Sequence, residues 1–125
     1  MPQKYRNIQT EVFGIKFDSR KEAYHYLKLR EEEKKGNISN LRMQVPYELI
    51  PAVYRDVTVH LKTKDKTERK CIQRATHYLA DFVYIDKDGN EVVVDVKSPI
   101  TRQNAEYRLK KKMMLAFKNI EIKEV

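Results

Sequence analysis

Asp81, Asp95 and Lys97 are the residues of this chain whose types and spacing could do chemistry. They fall in residues 78–85 and 91–97, two runs rich in β-branched and aromatic residues on either side of Asp86-Lys87-Asp88-Gly89-Asn90. That pattern reads as a β-hairpin. Side chains alternate faces along a strand, so Asp95 and Lys97 should point the same way. The same rule puts Asp81 on a face with Leu79, Val83 and Ile85, among apolar neighbours where an unpaired carboxylate is costly. Two carboxylates with a nearby lysine, gathered by one hairpin, are what a hard divalent cation needs to bind and hydrolyse a phosphodiester.

Such a site exists in only one of two hairpin registers. A two-residue Asp88-Gly89 turn sets Asp81 opposite Val96 and sends Asp95 to the other side. A three-residue loop, Lys87-Asp88-Gly89, sets Asp81 directly opposite Asp95. That loop is a type I turn followed by a left-handed residue, and Gly89 falls where the left-handed residue is needed. The sequence allows both turns.

The rest of the chain bounds what can surround this hairpin. Its 125 residues suit one domain, 1–125, with a single modest core. Charged residues make up 35% and hydrophobic ones 41%, and the net charge of +8 favours an anionic partner, with DNA first. No apolar run approaches the ~20 residues that span a bilayer, and residues 1–6 lack a signal-like apolar core. Cys71 is alone, which rules out an intramolecular disulfide and suits a reducing cytoplasm. One cysteine with His25, His60 and His77 offers no zinc-ligand spacing.

Residues 12–17 read as a short strand or hairpin remnant. Asp18-Ser19 opens a helix to about Lys35, stopped by Gly36-Asn37, with Ala23, Tyr26, Leu27 and Arg30 as its inner stripe. Residues 38–50 read as extended, broken at Pro46 and ended by Pro51, so they bend or lie at a sheet edge. Residues 54–74, with Lys62, Lys64, Lys66, Arg69, Lys70 and Arg74, read as a basic loop or hairpin insertion. A second helix runs from about Thr101 to Lys118, with Leu109, Met113, Ala116 and Phe117 at helical spacing. Ile120, Ile122 and Val125 alternate as a final strand. The order αβββαβ is that of an α/β domain with a mixed sheet flanked by helices.

Each candidate has a plainer reading beside it. Asp95 and Lys97 could sit on the solvent face of an amphipathic strand. Val92, Val94 and Val96 on one face and Val93 on the other argue instead for a strand covered on both sides. Glu22 fits a capping box with Ser19, reaching back to the Ser19 amide. His77 reads as structural, and Gln44 either orients a water or phosphate or is a buried hydrogen-bonding glutamine. Arg102, Arg108, Lys110, Lys111 and Lys112, together with Lys62, Lys64 and Arg74, are either a solvated surface or DNA phosphate contacts. Tyr107 either joins such a contact or packs.

The order of elements and these residues resemble the PD-(D/E)XK nuclease superfamily, which includes type II restriction enzymes, archaeal-type Holliday junction resolvases and mismatch-nicking endonucleases. The matching residues are Asp81 and then Asp95-Val96-Lys97, with Ala80 where the superfamily name has proline. From about Ile8 to Val125 the chain is also similar to a family of small phage and prophage proteins of unknown function placed in that superfamily. The likeness rests on Phe17-Asp18-Ser19 with Glu22-Ala23, Asn40-Leu41 with Gln44, Leu79-Ala80-Asp81-Phe82, Asp95-Val96-Lys97 and the basic last helix.

The resemblance implies a restriction-endonuclease-like fold and hydrolysis of DNA phosphodiesters, leaving a 5′-phosphate. Mg²⁺, with Mn²⁺ as substitute, would be held by Asp81, Asp95 and the Val96 carbonyl, with Glu22 leaning toward it directly or through water. Lys97 would orient the attacking water or stabilise the transition state. It further implies a phage- or prophage-encoded enzyme in the bacterial cytoplasm, acting on branched or recombination intermediates. A resolvase cutting two strands symmetrically would be a homodimer; a nicking enzyme need not be. The alternative is a catalytically silent nucleic-acid-binding or regulatory phage protein that keeps the fold.

Overall fold

The computed structural model describes residues 9–125, so the segment 1–6 discussed above lies outside the described residues. A tight hairpin opens this part of the chain, β1 (Thr10–Val12) and β2 (Ile15–Phe17). Helix α1 (Arg20–Lys34) follows. Ser19 Oγ caps it by accepting from Glu22 N at 3.1 Å, and Gly36 ends it at φ 80°. Then come β3 (Ser39–Ile50), β4 (Val53–His60), β5 (Asp65–Gln73), β6 (Thr76–Ile85) and β7 (Glu91–Asp95). A single 3₁₀ turn, Thr101–Gln103, leads into α2 (Ala105–Lys118), and β8 (Lys123–Glu124) closes the order.

The central sheet runs β3-β6-β7-β8, antiparallel except for the β7–β8 pair, which is parallel. This is a single mixed α/β domain, and its core lies on both faces of the sheet. On one face Phe17, Ala23 and Tyr26 pack against Phe82, Tyr84, Val94 and Val96. On the other, Tyr107, Met114 and Ile122 pack against Tyr78, Ala80, Val83 and Val93. Strand β7 is therefore covered on both sides, as its valines suggested. Among the described residues, no helix is long and apolar enough to cross a membrane.

The hairpin register is the one with the three-residue loop. Phe82 pairs with Val94, Val83 with Val93, Tyr84 with Val92 and Ile85 with Glu91. Asp86 N donates to Asn90 O at 2.9 Å, Gly89 N donates to Asp86 O at 3.1 Å, and Gly89 is left-handed at φ 83°. The Asp86 carboxylate accepts from both Asp88 N and Asn90 N at 2.9 Å, which holds the loop in this form.

Several expectations are corrected. Asp81 does not share a face with Val83. Ala80 packs on the α2 side and Phe82 on the α1 side, although strict alternation would put both together. The phase of β6 changes at Asp81. Opposite it, between the pairs Met43–Phe82 and Val45–Ala80, lies Gln44, left-handed at φ 51°. A non-glycine residue holds that conformation at a cost of about 1 kcal/mol or more, so the irregularity is a specific feature of this ladder.

Pro46 does not break β3. It pairs in register with Leu79, because an edge strand can turn the position lacking an N–H to solvent. On α1, Leu27 is exposed and Leu29 packs toward the core instead, while Arg30 donates to Tyr26 Oη at 3.0 Å. Helix α2 is rotated away from its expected stripe: Tyr107 and Met114 are buried, whereas Leu109 and Phe117 are 54% and 62% exposed. The final strand is shorter than its alternation suggested. Of the two readings of residues 54–74, a basic loop or a hairpin insertion, the structure shows the hairpin.

Replacing Gly89 by alanine should lower stability by about 1–2 kcal/mol, the cost of a left-handed L-residue. Urea unfolding of Gly89→Ala checks this. Stability equal to the wild type would mean the three-residue loop is not the turn in solution.

Candidate active site

The site forms where β6 and β7 part. Their ladder ends at Phe82–Val94, one residue short of Asp81 on one strand and of Asp95 on the other. There Asp81 Oδ2 accepts from Val96 N at 2.8 Å. A side-chain carboxylate thus takes the hydrogen bond that a neighbouring backbone carbonyl would otherwise take, and the strands open around it.

Asp95 to Lys97 are held extended by the end of the chain. Val125 N donates to Asp95 O at 3.1 Å, and Lys97 N donates to Val125 O at 3.2 Å. The parallel ladder of β7 and β8 therefore continues past the strand ends and points Asp95 and Lys97 the same way. Lys97 Nζ lies 3.5 Å from Asp95 Oδ1 and 4.9 Å from the centre of the Tyr107 ring. The ring face adds a cation–π contact that favours the ammonium at this spot.

Asp95 is 2% exposed. Its Oδ2 accepts a 2.5 Å hydrogen bond from Tyr78 Oη. Its Oδ1 is buried and makes no hydrogen bond; Lys97 stands at ion-pair distance without hydrogen-bond geometry. Burial, and then the hydrogen bond to Asp95, push the Tyr78 hydroxyl well above its ordinary pKa, so it remains a donor. Burial followed by the Asp95 charge pushes the Asp81 carboxyl up to about 7, against the opposing pull of the Val96 N–H. Glu22 is also raised, first by burial and then by the charge of Asp18. Its carboxylate interacts with the Asp18 backbone amide and the Asp81 side chain, so it turns into the site. The reach-back to the Ser19 amide is not the arrangement seen.

Gln44 Nε2 approaches Asp81 Oδ1 at 3.4 Å, a long contact, and Lys21 Nζ donates to the Lys97 carbonyl at 3.0 Å. Glu22, Gln44, Asp81, Val96 and Lys97 line one open cavity of about 440 Å³. Asp95 lies beneath it.

The predicted cations separate into three groups. Arg102, Arg108, Lys111 and Lys112 line a groove of about 320 Å³ that shares Tyr107 with the site. Within it Lys111 is held by Glu124 Oε1 at 2.8 Å, and Tyr107 Oη donates to Glu124 Oε2 at 2.7 Å. Lys110 pairs with Glu106 at 3.1 Å. Lys62, Lys64 and Arg74 belong to the β4–β5 hairpin and lie outside the cavity.

Tyr78, Lys21 and Glu124 are site residues that sequence reasoning missed. Ideal alternation would separate Tyr78 from Asp81, and nothing local marks Glu124 as the partner of both Tyr107 and Lys111.

Among the described residues, no three Asp, Glu, His or Cys side chains converge as a closed metal-binding group. The donors that could hold a hard cation are Asp95 Oδ1, Asp81 Oδ1 and the Val96 carbonyl, with Glu22 behind them. A buried carboxylate oxygen with no hydrogen bond is an incomplete polar arrangement, and oxygen donors of this kind are the type a hard divalent ion takes.

The chain belongs to the family described as "Protein of unknown function (DUF1064)", whose model matches residues 2–125. No curated protein and no solved structure matches it.

The raised Asp81 carboxyl sets a pH dependence for the metal-free protein. The folded state keeps a proton that the unfolded chain loses at the ordinary value of 3.8, and it releases that proton only near 7. This contribution is fully present below about pH 4 and is lost as pH rises through about 7. In EDTA, Asp81→Asn should flatten that fall in melting temperature. Parallel pH profiles for variant and wild type would show that Asp81 is not the group responsible.

Proposed function

We propose that this protein is a Mg²⁺-dependent DNA endonuclease with a PD-(D/E)XK-type site on a restriction-endonuclease-like core. One observation carries the reading: Asp81, Asp95 and Lys97 converge where β6 and β7 part, with a buried Asp95 oxygen that makes no hydrogen bond and has Lys97 at ion-pair distance. The order α1, β3, β6, β7, α2, β8 supports the same reading, since it reproduces the expected αβββαβ succession.

Asp81, Asp95 and the Val96 carbonyl would hold the ion, with Glu22 acting through water. When bound, the ion would supply positive charge toward the phosphate and lower the pKa of a water so that it can be deprotonated to the nucleophile. Tyr78 fixes one oxygen of Asp95, which leaves the other directed at Lys97. The Lys97 ammonium, steadied by Tyr107, stands at the cavity wall to orient the nucleophile or answer charge that develops on the phosphate. Arg102, Arg108 and Lys112 extend positive charge from the site along α2, the side from which a DNA strand would be steered. A substrate cut symmetrically, such as a four-way junction, would require a homodimer. The phage or prophage setting in a bacterial cytoplasm belongs to this same proposal.

The rival reading, a silent DNA-binding protein, draws on Asp81, which holds its proton to about pH 7 and must release it before a cation can bind. Incubation with supercoiled plasmid and with a four-way junction, in Mg²⁺, Mn²⁺ or EDTA, separates the two. Cleavage with either metal and none in EDTA is expected. Lys97→Ala should cut about 10²–10⁴-fold more slowly at little cost in DNA affinity. No cleavage by the wild type under any metal would favour the rival. Mg²⁺ or Mn²⁺ should also raise the wild-type melting temperature by mass action, and Asp95→Asn should lose most of that shift. A shift of equal size in the variant would place the ion elsewhere.

A further inference from the structure

The β4–β5 hairpin forms a two-stranded sheet of its own, and no residue from 51 to 77 is buried. An isolated hairpin without a core is only marginally stable, so packing does not explain its composition. Residues 53–74 carry seven Lys or Arg against three Asp or Glu, which is half of the chain's net +8.

The register sorts those charges onto two unlike faces. One face bears the pairs Tyr54–Cys71, Asp56–Arg69, Thr58–Thr67 and His60–Asp65. Its acids, Asp56 and Asp65, outnumber its one permanent cation, Arg69, so this face carries no excess positive charge. Arg69 lies across from Asp56 and 4.6 Å from the centre of the Tyr54 ring, and His60 Nδ1 is 2.8 Å from Asp65.

The other face bears Arg55–Lys70, Val57–Glu68 and Val59–Lys66. Arg55 and Lys70 stand directly opposite each other, and among the described residues neither has an acid at ion-pair distance. The single acid here, Glu68, is 3.7 Å from Lys66. Like charges placed opposite one another weaken a strand pair, and an anion laid between them reverses the effect.

We propose that this ribbon is an arm for duplex DNA, laid against the double helix by its Arg55–Lys66–Lys70 face, with Lys62 and Lys64 at the tip. The proposal rests on the nuclease reading for its class of ligand, though not on catalysis. Eight residues of strand extend about 26 Å. A two-stranded ribbon is one of the shapes a B-DNA major groove, roughly 12 Å wide, can admit. The ribbon also grows out of the strands that build the site. Their ladder reaches Ile50–Thr76, and Asp81 lies five residues further along β6, about 17 Å away. The root of the ribbon therefore lies within reach of a duplex seated on the cavity. The neutralised face is left toward solvent.

Anisotropy of a labelled duplex bound by the full chain in EDTA, over a salt series, tests this. Arg55→Gln/Lys66→Gln/Lys70→Gln should weaken binding at least about tenfold and lower the slope of log affinity against log salt by about 2–3. Lys28→Gln/Lys34→Gln/Lys35→Gln, which removes the same charge from α1 and its C-terminal cap, should leave the slope unchanged. Joining Ala52 to Ala75 through two glycines should reproduce the ribbon triple variant and shift the melting temperature by no more than a few degrees, since no buried residue is removed. A wild-type slope in the ribbon variant, or equal losses in both triple variants, would overturn the arm. So would a loss seen only with single-stranded DNA or RNA probes. If the ribbon result holds but no metal supports cleavage, the nuclease reading falls and the arm stands. If cleavage occurs and the ribbon triple variant is neutral, the arm alone falls.

Discussion

The hydrogen bond from Val96 N–H to Asp81 Oδ2 marks where a covered sheet becomes a cleft. Up to Phe82–Val94 the strands are joined by ordinary backbone pairs, with apolar side chains on both faces. One step further a carboxylate substitutes for the backbone acceptor, and β6 changes phase between Ala80 and Phe82. The left-handed Gln44 on the neighbouring strand accommodates the change. A single polar side chain in an otherwise apolar strand can do this because the alternative is an unsatisfied N–H near the core, at a cost of about 1–3 kcal/mol. The opening that results admits solvent to Asp81 while Asp95 stays beneath.

The cost of gathering acids in that opening is spread over several partners. Asp95 is almost completely buried, and a bare charge there would be strongly disfavoured. Tyr78 satisfies one of its oxygens and Lys97 opposes the other. Lys97 is in turn steadied by Tyr107, whose hydroxyl is tied through Glu124 to Lys111. Lys111 holds the Glu124 carboxyl below its usual range, which keeps this anchor charged. Asp81 and Glu22 are the members left without a full counter-charge, and both answer by holding their protons more tightly. An ion pair and a ring contact thus link α2 to the site, alongside the packing of Tyr107 and Met114 in the core. With Tyr107 facing inward, Leu109 and Phe117 are left outside.

The body and the ribbon represent different uses of sequence. In the body, two helices cover a four-stranded sheet, and the buried residues of both clusters lie on or directly beside the strands and helices that frame the site. In the ribbon nothing is buried, and the pairing of side chains across the two strands sorts charge rather than filling space. The two are nevertheless continuous through β3 and β6, so the ribbon's root has a fixed place relative to the cavity.

What the sequence determined by itself was local. The left-handed demand at Gly89, the Ser19 cap, the Gly36 stop and the alternation of Val92 to Val96 each depend on residues a few positions apart. Hence α1 and the covered strand β7 could be read from the chain, while the hairpin was narrowed to two registers, of which the structure holds the one with the three-residue loop. The tertiary structure decided whatever depends on contacts between distant segments. The phase of β6 at Asp81 depends on Gln44, 37 residues away, and the inward face of α2 depends on Glu124, 17 residues beyond Tyr107. The tolerance of Pro46 depends on β3 being an edge strand, and the role of Tyr78 depends on Asp95 lying across a parted ladder. Periodicity gives the faces that an isolated element offers. Which face is buried, and which polar group goes with it, follows from the hydrogen bonds and charges that only packing brings into range.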